Sequence, residues 1–331
     1  MARMGMLQVI IRFPAFVVAL TAGLALAGLV YQAVATVWDK VRYRPPGKII
    51  TVNGRRMHIR SIGAGRTTVV LETGLGGISS GWAWIQPEIA KFARVISYDR
   101  LGLGWSEPGK GAVTARRIAG QLHDLLRVAG EKGPYVLVGH SMGGLFIRKF
   151  AELYAGEVVG MVLVDACHPD QYVRSSAIRK HMQAGFTMLR KIQLPAMFGF
   201  IRLTNYLKSQ ADGLPPRARA EAEAFLSSFR HLRSAQAEAS AWDTICDEVR
   251  DTKDLGDKPL AVLRADSSSL AGGQQLQEEL TSLSSRGKLH LVEGSEHVTL
   301  VTHKEYAISV VEAIRDVVRE AESSGCTPHA T

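Results

Sequence analysis

Six short, largely apolar runs with frequent β-branched residues punctuate this chain: Thr67–Leu71, Arg94–Tyr98, Tyr135–Val138, Val159–Val164, Leu260–Leu263 and Leu289–Val292. Stretches of helical period separate them, among them Ala115–Ala129 and Gly144–Tyr154. After the last run comes Glu305–Glu320, with Ile308, Val311, Ile314 and Val318 at helical spacing. A strand that is apolar at every position needs cover on both faces. Strands alternating with helices therefore specify an α/β fold, a mostly parallel sheet with helices on both faces. Ahead of the first run, Ile49–Val52, Asn53-Gly54 and Met57–Ser61 read as a β-hairpin, because Asn-Gly is the strongest short hairpin signal. One interval is too long for a simple crossover. The helix-like sequence between Asp165 and Leu260 is expected to be a cap inserted over the sheet, at about residues 170–255.

The chain has 331 residues, 46% apolar and 21% charged, which excludes a disordered chain or a coiled coil. Its net charge of +9 would by itself suggest nucleic acid, but the distribution argues otherwise. Residues 1–56 carry eight Lys/Arg against Asp39, and residues 171–211 carry seven Lys/Arg and no acid, so each segment holds +7. Subtracting both from the total leaves −5 on the remainder. That is a mildly acidic body with two local basic patches and no basic stripe with interleaved aromatics. Three cysteines, Cys167, Cys246 and Cys326, do not make a disulfide scaffold.

From Phe13 to Trp38 there are 26 residues without a charge. As a helix they span roughly 39 Å, more than the ~30 Å that a bilayer core requires. Residues 1–40 are accordingly expected to be a membrane anchor, single-pass, ahead of a body at 41–331. The competing reading is a cleaved signal peptide, since Ala25-Leu26-Ala27 has the small-x-small form of a cleavage site. The membrane face stays open: Lys40, Arg42, Arg44 and Lys48 follow the span, but Arg3, Arg12 and the free amine precede it.

Gly139-His140-Ser141-Met142-Gly143 fits G-x-S-x-G. The bare pattern is weak, but here it follows an apolar strand and opens a helix, the setting a nucleophile elbow requires. Ser141 must stand on a strained turn with its Oγ above the sheet, and side chains at 139 or 143 would strike neighbouring backbone. Met142, directly after the nucleophile, offers a backbone N–H to an oxyanion.

The chain resembles the α/β-hydrolases. Thr73-Gly74-Leu75-Gly76-Gly77, Tyr98–Ser106, Gly139–Gly143 and Glu293-Gly294-Ser295-Glu296-His297 fall in that family's order over residues 49–320, the cap excepted. The resemblance extends to its bacterial serine hydrolase branch, through Leu-Glu-x-Gly-x-Gly-Gly and Val-Asp-x-x-His-Pro. It implies an α/β-hydrolase fold with an inserted cap and a Ser-His-Asp triad. The base is then His297, in a Gly-Ser loop beyond the last strand; the nine other histidines compete, with His140 inside the elbow and His303 opening the final helix.

Two carboxylates could orient that imidazole. Asp165 ends the run at Met161–Val164, and Asp266 follows Leu260–Arg264, where the family more often draws its acid. The family position usually lies a few residues into a Gly-x-x-Asp loop, which Ser267, Ser268 and Ser269 occupy here, so Asp165 is favoured. Asp99 is expected to hold the turn at Arg100–Gly104. The resemblance places the second oxyanion donor at the Leu75 backbone; Thr73 replaces the family's usual His, which leaves a backbone donor intact. A serine nucleophile also argues against dehalogenase or epoxide hydrolase chemistry, which in this fold uses Asp.

No cofactor or metal is expected. P-loop and dinucleotide fingerprints are missing, and Asp165, Cys167 and His168 lack a second cluster at ligand spacing. The expected activity is carboxylic-ester hydrolysis through an acyl-serine, on a small-molecule ester or lipid. The alternatives are a cofactor-free perhydrolase or thioesterase with the same triad, or a catalytically silent ligand-binding protein of this fold. Residues 171–211 combine their seven cations with bulky apolar residues, as a lid over the pocket does and as a helix lying on an anionic membrane does.

Overall fold

The computed structural model describes residues 2–252, 254–268 and 272–324, with side chains from residue 12 onward except at Ser268. Cys326 and Ser269 lie outside the described residues. Eight strands, β1 (Lys48–Val52), β2 (Arg55–Ile62), β3 (Thr68–Glu72), β4 (Arg94–Tyr98), β5 (Tyr135–His140), β6 (Val158–Val164), β7 (Leu260–Ala265) and β8 (Gly287–Val292), form one sheet in the order β1-β2-β4-β3-β5-β6-β7-β8. The pairings of β1 with β2 and of β2 with β4 are antiparallel, and all others are parallel. Asn53 and Gly54 turn the hairpin with φ of 49° and 73°, the two positive values that a type I′ turn demands.

Fourteen helices are described: α1 (Ala2–Arg42), α2 (Gln86–Ile89), α3 (Ala115–Ala129), α4 (Gly143–Leu153), α5 (Gln171–Arg174), α6 (Ser176–Lys191), α7 (Gln193–Met197), α8 (Phe200–Thr204), α9 (Pro216–Leu226), α10 (Phe229–Ser240), α11 (Trp242–Arg250), α12 (Gly273–Thr281), α13 (Thr299–Thr302) and α14 (Lys304–Ser323). Period-two alternation divides the strand side chains between two cores. Val69, Leu71, Val136, Val138, Val162 and Val164 pack against Val310, Ile314 and Val317 of α14. Val70, Leu137, Met161, Leu163 and Val262 meet Leu122 and Leu126 of α3 and Ile147 and Phe150 of α4 on the opposite face. Burying any one of these side chains contributes about 1.5–3 kcal/mol. The edge strands are the exceptions: Ile49 of β1 and Leu289 and Leu291 of β8 are exposed because these strands close the sheet at its two ends.

Several strands run further than their apolar cores. The strand expected at Tyr135–Val138 continues through Gly139 and His140, which pair with Leu163 and Val164 of β6. Backbone pairing, not hydropathy, sets the end of a strand. Helices α5 to α11 occupy residues 171–250, between β6 and β7. The chain leaves β3 toward β4 on one side, whereas β5 lies on the other side. The carboxyl ends of β3 and β5 therefore flank the point where strand order reverses, the usual place for a ligand crevice in an open α/β sheet.

Candidate active site

Ser141 follows the last residue of β5 and adopts φ +55°. Left-handed backbone at a non-glycine residue costs of order 1–3 kcal/mol and persists only where the surroundings dictate it. Here the Ser141 N–H donates to the Val164 carbonyl at 3.1 Å, and its own carbonyl accepts from Gly144 and Cys167, both at 3.0 Å. The flanking glycines are required by space. A Cβ at Gly139 would lie 2.8 Å from the Gly143 backbone, and one at Gly143 would lie 2.6 Å from the carbonyl oxygens of Glu72 and Thr73. A Cβ at Gly74 would come within 2.9 Å of Ser141 Cβ, so the loop after β3 presses on the serine.

His297 lies between β8 and α13, and its Nε2 stands 2.9 Å from Ser141 Oγ. Its Nδ1 is 2.5 Å from Asp165 Oδ2. Asp165 is buried, and its other carboxylate oxygen accepts the Ala265 N–H at 3.1 Å. Its own φ is +43°, a conformation Asp tolerates better than most residues. Asp266 is exposed and turned elsewhere, accepting the Gly294 N–H at 3.1 Å in the loop that carries His297. The acid favoured from sequence is thus the one beside the imidazole. Among the described residues neither the Leu75 nor the Met142 amide has a hydrogen-bond acceptor. Asp99 accepts the Trp105 and Ser79 amides at 3.2 and 2.7 Å and touches none of the three.

Sequence reasoning missed three side chains that support this arrangement. His140 donates from Nε2 to the His297 carbonyl at 2.9 Å, tying the turn at Ser141 to the loop that carries His297. Burial, then the adjacent His297 imidazole, push His140 down to about 3, so it stays neutral. His231 of α10 accepts the Gly104 N–H through Nδ1 at 3.3 Å and donates from Nε2 to the Gly76 carbonyl at 2.9 Å; burial holds it down to about 4.

The third is Arg100, wholly buried between Glu72 and Glu238. It donates to Glu238 at 2.7 and 2.9 Å, to the Thr73 carbonyl at 2.8 Å and to the Gly74 carbonyl at 2.6 Å, while Glu238 accepts the Gly76 N–H at 3.0 Å. Burial opposes its charge, but Glu238 and Glu72 hold the guanidinium above its ordinary value. This clamp fixes the Thr73–Gly77 loop beside Ser141. A charged residue closing an apolar strand, as Glu72 does, was the available signal; Glu238, in α10, carried none.

Above Ser141 opens a cavity of about 330 Å³. Its walls include Leu75 and Ile78 from the β3 side, Val298 and Val301 near His297, and Leu214, Ala222, Phe225 and Leu226 from the segment between β6 and β7. No Lys, Arg, Asp or Glu lines it among the described residues. Cys167 Sγ lies 3.8 Å from Ser141 Oγ, and burial pushes its thiol up to about 12, so it is protonated at neutral pH.

Comparison with known proteins agrees with this fold. A family model for the alpha/beta hydrolase fold matches residues 67–304. The probable transporter efuK of Hormonema carpetanum is 33% identical over 134 residues, 38% of this chain and 19% of that protein. The chain spans less than half the length of the curated relatives it matches. The Cif epoxide hydrolase from Acinetobacter nosocomialis superposes with a TM-score of 0.68 at 17% identity, covering 87% of this chain and 96% of that one. A thermophilic esterase from Thermogutta terrifontis superposes with a TM-score of 0.62 at 20% identity, covering 83% and 98%. At such identities the likeness extends to the fold.

Proposed function

The chain belongs to the alpha/beta hydrolase fold family, and on that footing we propose that it is a serine hydrolase cleaving lipophilic carboxylic esters. The continuous hydrogen-bond path from Ser141 through His297 to Asp165 carries the reading. In this mechanism His297 Nε2 takes the Ser141 proton as Oγ bonds to the ester carbonyl carbon. The negative charge that develops on the carbonyl oxygen is met by the Leu75 and Met142 amides. The imidazolium then protonates the departing alkoxide, leaving an acyl-serine. Water adds to the acyl group with its proton passing to His297, and Ser141 recovers its proton as the acid departs. Asp165 accepts from Nδ1–H throughout and stabilises the imidazolium.

The uncharged cavity supports a neutral, apolar substrate. We read α1 as an anchor, because its charge-free run is longer than the 7–15 residues of a signal h-region. A mature chain beginning at Gly28 would overturn that part. Fluorophosphonate labelling tests the enzyme itself: the full chain should label, Ser141→Ala should not, and an unlabelled full chain would leave only a binding protein. Esters of graded acyl length should show turnover rising from acetyl to medium chains.

A further inference from the structure

Beyond Gly28, α1 packs against the cap. A Cβ at Gly28 would lie 2.7 Å from the Phe198 carbonyl, and one at Gly199 would lie 2.6 Å from the Tyr31 ring. Gln32, buried although it belongs to an apolar helix, donates to the Ser227 carbonyl at 3.0 Å. Asp39 pairs with Arg202 at 2.7 Å. Twenty residues of helix suffice for a bilayer core. Counted from Phe13, they end at Gln32, so the cap contacts at Gly28 and Tyr31 fall within the last turn or so of the span. On the reading of α1 as an anchor, Phe198 and Gly199 are therefore held at the edge of the hydrocarbon.

The side chains on these cap elements suit that depth. Leu194 of α7, Phe200 and Leu203 of α8, and Tyr206 just beyond are 66%, 57%, 65% and 55% exposed. Phe200 and Leu203 are three residues apart on one helix face, while Ile201 between them is buried. Of the seven cations in residues 171–211, Arg174 pairs with Glu279 and Arg202 with Asp39. Arg179, Lys180, Arg190, Lys191 and Lys208 are exposed and form no ion pair among the described residues. Exposed apolar side chains beside unneutralised cations match an acyl–headgroup boundary that carries negative lipid. A lid that served only to cover the active site would turn these side chains toward the cavity. Leu194, Phe200 and Leu203 do not line it.

We propose that α7 and α8 form a second, interfacial membrane-binding surface that rests on an anionic leaflet beside the anchor. The same docking brings the bilayer to the cavity: Ser227, held by Gln32, follows Phe225 and Leu226, which line its wall. The proposal depends on the anchor reading, and the test separates the two.

The full chain with Cys326→Ser is given one new cysteine at a time, Leu24→Cys, Leu194→Cys, Leu203→Cys or Ser282→Cys, and labelled with nitrobenzoxadiazole. The Cys326→Ser chain serves as the blank. Each is reconstituted in phosphatidylcholine vesicles containing about a third phosphatidylglycerol and a shallow doxyl lipid quencher. Labels at 194 and 203 should be quenched at least about threefold more than the label at 282. Adding Arg190→Glu with Lys191→Glu should cut that excess by about half. If 194 and 203 are quenched no more than 282 while 24 is quenched, the anchor stands and the interfacial surface is wrong. If 24 is not quenched either, the anchor reading fails as well. Equal quenching at 194 in vesicles lacking phosphatidylglycerol, unaltered by the charge reversal, would overturn the anionic preference.

Discussion

Asp165 and Asp266 close neighbouring strands, and substituting each with Asn distinguishes their roles. In Asp165→Asn the new amide faces, among its partners, two donors, the His297 Nδ1–H at 2.5 Å and the Ala265 N–H at 3.1 Å. If its oxygen stays on Ala265, its NH2 meets Nδ1 and the imidazole must shift its proton to Nε2. Nε2 can then no longer accept from Ser141. If the amide flips, its NH2 opposes the Ala265 N–H, which leaves buried donors unsatisfied at a cost of about 1–3 kcal/mol. Both arrangements remove the anion that stabilises the imidazolium. Together these effects should lower kcat by roughly 10³–10⁴, about 4–5.5 kcal/mol, with KM little altered. Asp266→Asn keeps an oxygen for the exposed contact with Gly294 and should change kcat by less than about threefold. Steady-state p-nitrophenyl ester hydrolysis by the full chain in detergent gives both constants. Should Asp266→Asn lose 10³-fold or so while Asp165→Asn stays within about tenfold, the tautomer argument is refuted.

Three further outcomes are expected. His231 titrates near its ordinary value when unfolded but at about 4 when folded, so between roughly pH 4 and 6.5 the unfolded chain binds the extra proton. Its contribution is fully present above pH 6.5 and is lost as pH falls toward 4, at about 1.4 kcal/mol per pH unit; His140, held down to about 3, adds a like slope, so urea midpoints should fall with pH across that range and His231→Gln should remove its own share of the fall, not all of it. Arg100→Met leaves Glu72 and Glu238 buried without their cation and should destabilise by about 3–5 kcal/mol in urea unfolding, partly restored by adding Glu72→Gln and Glu238→Gln. Gly139→Ala forces a Cβ against the Gly143 backbone and should cost about 1–3 kcal/mol and slow fluorophosphonate labelling, whereas Gly156→Ala, with nothing within 4 Å, should do neither.

Much of the layout was legible before any coordinates. The strand–turn–helix around Ser141 is legible in residues 135–153, although its glycines are needed partly because of backbone elsewhere: a Cβ at Gly143 would strike the Glu72 and Thr73 carbonyls. The Asn53-Gly54 turn is likewise local. What escaped were contacts made at long range by polar residues with no pattern of their own: Glu238, His231 and Gln32 reach partners more than a hundred residues away.

Hydropathy period, turn chemistry and the order of motifs were set by the chain itself, because each acts within a few residues. Which carboxylate meets His297 was decided only when β6 and β7 lay side by side. Asp165, turned by a positive φ, then received the imidazole, and Asp266 was left to hold the loop. The same holds for the depth of the cap against α1, which depends on how two distant segments pack and on no property of either alone.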